Sequence, residues 1–267
     1  MYRLIFCLPL CLILAPNRPD VAPSEHRVPP GIVSHDPLPV EDPVAFLEKC
    51  LQKYDEQHIE GFTCILQKQE RIDGKLMPSE ETEVAFRGKP HSVFMHWVRG
   101  ARKADSALYV QGENDNKMIA HPSGLAGALV KVVSRDVDGA DAKQSGRYTL
   151  DTFGFKNSME RTLKAWKAAR DRGALKVEYL GIRKVKETGD RLCWALRRTN
   201  DKPEDDGIME GMFYFDKENW LQTGVVLKGE EGKLIGDYMF RDVQLNPKFK
   251  PGQFTRDALL DSGASAK

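Results

Sequence analysis

GFTCILQKQERIDG, residues 61–74, alternates: Phe62, Cys64 and Leu66 fall on one side of an extended chain with more polar neighbours between them, and Asp73-Gly74 then marks a hairpin turn. The same cadence repeats downstream. A second strand is expected around 82–87, and Gly88-Lys89-Pro90 turns it into a third, where Val93, Met95 and Trp97 form one face and Phe94 and His96 the other. Residues 108–111 and 118–120 follow as short strands across the Asn114-Asp115-Asn116 turn. Strand, turn, strand at this spacing is an antiparallel meander. Upstream, Asp42-Pro43 has the form of an N-cap with proline at the first helical position. Phe46, Leu47, Cys50, Leu51 and Tyr54 then recur at helical spacing, which predicts an amphipathic helix that Gly61 ends.

Residues 121–173 have a different texture. The stretch 124–133 is apolar and contains glycine, 136–141 is rich in turn formers, and 155–172 reads as a helix with Phe155, Met159, Leu163 and Trp166 on one stripe. Its opposite face is basic (Lys156, Arg161, Lys164, Lys167, Arg170, Arg172). A solvated face is the ordinary reading of that pattern, and contact with anionic lipid headgroups the sharper one. Strands resume at 177–182, 191–198, 211–215, 222–227 and 236–240. Helix, meander, helical insert, meander predicts an α+β fold.

Lys plus Arg number 40 against 39 Asp plus Glu, a formal charge of +1 with no basic half, so no nucleic-acid partner is expected. No stretch reaches the roughly 20 apolar residues a membrane span requires. Arg3 followed by the apolar run 4–15 reads as an export signal. The expected organisation is a leader at 1–22 with an undefined cleavage site, a proline-rich disordered tether at 23–42, one domain at 43–258 and a disordered tail at 259–267. That leader places the protein outside the cytoplasm, in the periplasm or envelope of a bacterium. Of five cysteines, Cys7 and Cys11 fall in the leader; Cys50, Cys64 and Cys193 allow one disulfide or free buried thiols. Paired zinc-ligand spacings, a Gly-x-Ser-x-Gly elbow, a phosphate-binding glycine loop and His-Glu-x-x-His are all absent from the sequence, so neither a metal, a cofactor nor an enzymatic role is expected. Asp136, Asp138 and Asp141 have the look of a calcium loop, but Arg147 stands where its bidentate glutamate belongs, which favours a solvated turn.

Three pieces in order carry a family resemblance: residues 61–74, the Gly88-Lys89-Pro90 turn leading into Val93-x-Met95-x-Trp97, and YMFRDVQLNP at 238–247 followed by Phe254. Together they resemble the lipoprotein localisation factor (LolA/LolB-like) superfamily. QERIDGKL at 69–76, LYVQGEND at 108–115 and AHPSGL at 120–125 look closer to an uncharacterised secreted branch, domain-of-unknown-function family 1571. The resemblance implies a curved antiparallel sheet, a half-open barrel, with helices over its concave face and a cavity for acyl chains between the two. On it, Val84, Phe86, Val93, Met95 and Trp97 would face inward, Leu125, Leu129, Phe155 and Met159 would form the lid, and Arg71 and Arg87 are candidates, by location, for holding that lid. The expected protein is a monomeric, non-enzymatic carrier or sensor. Its partners would be lipid or lipoprotein acyl chains, with transient contact to a membrane surface. The alternative is an envelope protein-interaction module on the same fold, its core filled and without a ligand.

Overall fold

The structure, a computed structural model, describes residues 41–204 and 207–264. The expected leader and all but the last two residues of the expected tether lie outside the described residues. No helix among the described residues is long and apolar enough to cross a membrane.

Helix α1 (Pro43–Glu56) starts as the sequence predicts, the Asp42 carboxylate accepting from the amides of Val44 and Ala45 at 2.8 and 3.1 Å. It ends at Glu56, before Gly61, which instead opens β1 (Gly61–Ile72). Asp73 and Gly74 both take positive φ, 48° and 77°, the mirror-image turn that twists a hairpin correctly, and they return the chain into β2 (Lys75–Leu76). The first meander comprises β3 (Glu80–Arg87), β4 (Ser92–Arg99), β5 (Ala104–Val110), β6 (Lys117–Pro122) and β7 (Val133–Asp136). A short α2 (Gly124–Leu129) joins its last two strands, and α3 (Ala140–Lys143) follows it. After α4 (Phe155–Asp171) comes the second meander, β8 (Lys176–Val185), β9 (Arg191–Thr199), β10 (Glu210–Asp216), β11 (Gln222–Lys228) and β12 (Leu234–Leu245), then α5 (Arg256–Ala264).

All pairings are antiparallel, in the order β7-β6-β5-β4-β3-β1-β12-β11-β10-β9-β8, with β2 paired to β1. Among the described residues β7 and β8 are therefore free edges and the sheet is open. β1 is the keystone: Phe62 lies opposite Phe86 of β3 on one side and opposite Leu245 of β12 on the other.

Alternation along the strands sorts residues between two faces. The concave face carries the larger core, where Phe46 of α1 meets Trp194 and Phe215 edge-on at 5.4 and 5.3 Å, and Trp166 of α4 meets Phe213 at 5.3 Å. A smaller core on the opposite face joins Ala85, Phe94, Leu108, Val110 and Ile119 to Phe254 and Leu259. Leu259 corrects the expected tail: it is fully buried, its carbonyl accepts from Ser106 Oγ at 3.1 Å, and the chain stays helical to Ala264. The strand β7 is also new, since VSRD offers neither alternation nor β-branched density beyond one valine. Cys50, Cys64 and Cys193 are free, buried thiols.

Candidate functional site

Helix α4 and the segment 137–154 lie over the concave face without filling the space beneath them. The cleft so enclosed measures about 950 Å³, in the upper range for sites that hold small organic ligands. Its floor crosses the sheet from Met95 and Trp97 of β4, past Leu66 of β1 and Phe240 of β12, to Leu227 of β11 and Phe213 of β10. Leu150, Phe153, Ala165 and Ala169 form its roof.

One end of this cleft is charged. Along β1 the inward positions run from Leu66 to Lys68 and Glu70, so the strand turns ionic while still facing the core. Lys68 Nζ lies 3.2 Å from Glu70 and 3.4 Å from Glu80, Arg102 pairs with Glu80, and the Trp97 indole donates to Glu80 at 3.0 Å. The quartet is neutral and grips the cover. Tyr238 OH and the Arg147 amide donate to Glu70 at 2.7 and 3.1 Å, Arg102 donates to the Ser145 carbonyl at 3.0 Å, and His91 donates to the Leu150 carbonyl at 3.0 Å. Between the anchored residues, Gly146 lets the backbone approach closely, because a Cβ there would stand 3.2 Å from Glu70 Oε2 and 3.3 Å from Lys68 Nζ. Burial pushes the Tyr238 phenol far up, reinforced by Glu70, which keeps it a neutral donor.

Burial also raises the Glu80 carboxyl, but Lys68, the Trp97 indole and Arg102 outweigh it and hold the group below its ordinary 4.5. A depressed carboxyl stabilises the fold above its unfolded value and stops doing so as pH falls through the folded one. Urea unfolding should therefore show this contribution intact above about pH 5 and shrinking as pH falls further into the acid range. An acid loss no smaller in a Glu80→Gln variant, which has no carboxyl to titrate, would refute the assignment.

A family model described as "Protein of unknown function (DUF1571)" matches residues 59–258. The chain belongs to that family. No curated protein matches the DUF1571 chain. Among solved structures it is similar to MucB in the Pseudomonas aeruginosa MucA/MucB complex, at 16% identity and TM-score 0.46, covering 80% of this chain and 60% of that one. It is also similar to the Mycobacterium tuberculosis lipoprotein LppX, at 9% identity and TM-score 0.43, covering 79% and 99%. A third is the LolA superfamily protein NE2245 from Nitrosomonas europaea, at 11% and 0.38, covering 80% and 99%. The DUF1571 chain spans less than two thirds of the MucB chain.

In this DUF1571 protein the residues singled out from sequence divide into four groups. Met95 and Trp97 line the cleft. Val84, Phe86, Val93, Phe155 and Met159 lie in solid core, where Phe62 stacks on Phe86 at 4.7 Å and meets Phe155 at 4.5 Å, leaving no space for a ligand between them. Leu125 and Leu129 are corrected: on α2 they are 88% and 87% exposed, and they cover nothing, because a six-residue helix at the end of the sheet cannot reach over it. Arg71 and Arg87 are corrected as lid holders. Arg71 donates to the carbonyls of Leu234 and Gly74 at the hairpin end, and Arg87 donates to Ser92 and stands over the Phe254 ring on the opposite face. The groups that hold the cover, Glu70 and Arg102, were missed. The available signal was Lys68 and Glu70 continuing the inward period of Phe62, Cys64 and Leu66.

The cleft's carboxylates are engaged. Glu70 faces Lys68, Asp201 pairs with Lys176 at 2.6 Å, and Glu204 pairs with Arg198. No group of three or more potential metal ligands gathers among the described residues.

Proposed function

We propose that the protein is a non-enzymatic exported carrier or sensor that holds the apolar chain of a lipid, lipoprotein or similar amphiphile in the cleft between the sheet and α4. The supporting observation is a space of about 950 Å³ left open between Met95, Trp97 and Phe213 on one side and Ala165 and Ala169 on the other. Each buried methylene contributes about 0.8 kcal/mol, so an acyl chain gains on the order of ten kcal/mol before the costs of association are subtracted. Such binding requires no reacting group. The ion quartet that holds the segment 137–154, the strap over the cleft, and the solid core beside it keep the cleft's shape in the absence of ligand, which limits the ordering cost on binding.

Titration of the full chain with an apolar fluorescent probe tests the reading. Uptake at one site is expected, and Ala165→Trp, which puts an indole into the space, should weaken it at least tenfold with little change in unfolding midpoint. Failure of the unaltered protein to take up the probe, or to extract lipid from vesicles, would overturn it. One observation favours the second reading, a module that binds an envelope protein: the exposure of Leu125 and Leu129 on α2. It further requires a filled interior, so an empty, probe-excluding protein would move the assignment there.

A further inference from the structure

The cations around the cleft are unequally matched. Among the described residues, Lys68, Arg161, Lys164, Arg172, Arg198 and Lys202 line it, against Glu70, Asp201 and Glu204. Those three carboxylates are taken by Lys68, Lys176 and Arg198, which leaves Arg161, Lys164, Arg172 and Lys202 without a carboxylate partner among the described residues. Helix α4 itself shows the contrast. On the flank facing α1, Lys156 pairs with Asp55 at 2.7 Å and Lys167 with Glu48 at 2.6 Å; on the flank facing the cleft, Arg161, Lys164 and Arg172 have no such partner among the described residues.

Arg161 is the inner member of that set. Lys164, Arg172 and Lys202 are exposed, whereas Arg161 is half-buried, its guanidinium 4.4 Å over the Tyr148 ring and its Nη1 donating to the Thr152 carbonyl at 3.0 Å. The carbonyl contact occupies one of five donors. Burial pulls its pKa down, the mark of a cation that has lost water without gaining a counter-charge. Such a group gains most from an anion that arrives with the ligand, and a planar fork suits carboxylate or phosphate oxygens.

We infer that the cleft selects amphiphiles with an anionic headgroup, carboxylate or phosphate, and that Arg161 receives that headgroup while Lys164, Arg172 and Lys202 draw it to the opening. This rests on the carrier reading above and gives it a ligand class. The basic face of α4 thus serves two purposes, one flank fastening the helix to α1 and the other meeting cargo.

The test titrates the full chain with hexadecanoate, hexadecyl phosphate and hexadecanol below their aggregation limits, so that chain length is fixed and only the headgroup changes. Both anions should bind at least tenfold more tightly than the alcohol, with the advantage shrinking at high salt; the stronger of the two identifies the headgroup chemistry. Arg161→Met should weaken the anions at least tenfold more than the alcohol, and Arg161→Lys, which keeps the charge but loses the fork, should fall between. Equal affinity for all three ligands would overturn the inference and leave the carrier reading standing, and an equal loss for all three in Arg161→Met would give Arg161 a structural role only. No binding of any of them would remove the carrier reading itself.

Discussion

Glu80→Ala is expected to lower folding stability by about 3 kcal/mol, at the low end of the roughly 3–5 kcal/mol seen when one partner of a buried ion pair is removed. Glu80 is 4% exposed and faces two cations, Lys68 and Arg102, that retain 17% and 19% exposure. Their residual hydration is the reason for the lower figure. The Trp97 indole also loses its acceptor. Urea unfolding measures the loss, and limited proteolysis near Ser145 reports whether the strap lifts, because Arg102 would then hold the Ser145 carbonyl without its own counter-charge. A loss below about 1 kcal/mol, the ordinary worth of a surface pair, would mean that both cations reach water and the quartet fixes nothing. The exposed pair Lys184–Asp190 is the internal standard: truncating Lys184 should change stability by no more than about 0.5 kcal/mol.

Phe46→Ala is expected to cost about 3–5 kcal/mol, the range for emptying a buried aromatic site. Phe46 has no exposed surface and contacts Trp194, Phe215 and Trp220, with centroids at 5.4, 5.3 and 6.1 Å. Collapse of that site is resisted by three large rings anchored in β9, β10 and the turn before β11, so a cavity persists. Because two of the three neighbours are tryptophans, their fluorescence should shift in the folded variant as well as its denaturation midpoint. A cost under about 1.5 kcal/mol would show that α1 is replaceable cover, of the kind tolerated by volume-conserving swaps, and not a fixed wall.

Much of the sheet is legible in the sequence because half-buried strands alternate. The inward set Val84, Phe86, Val93, Met95 and Trp97 does lie on one face. Alternation states which side a residue faces and is silent about what stands opposite. Val93 and Met95 have the same pattern, yet one meets the packed core and the other an open cleft, because the roof over Met95 is set by the path of 137–154, a stretch with no periodicity to read. The same limit hid β7, and it hid α5, whose single fully buried leucine sits in a polar, small-residue tail. The charged end of the cleft was hidden for another reason. Lys68 and Glu70 look solvated in a one-dimensional reading, and only the arrival of Glu80 and Arg102 from neighbouring segments makes their inward placement tolerable.

The central place of β1 also sets the order in which the molecule can be assembled. Glu70 and Tyr238, bonded across the β1–β12 seam, are 168 positions apart, so the middle of the sheet closes only after nearly all of the chain is available. Each meander can form from near neighbours, whereas β1 keeps one bare edge until β12 arrives. A nascent or truncated chain therefore presents its longest unpaired strand edge at its most apolar point, around Phe62 to Leu66, and invites pairing with another copy. Loss of the last strand is consequently a far graver injury than loss of either outer strand: it divides the protein into two sticky halves, where trimming β7 or β8 merely narrows the sheet.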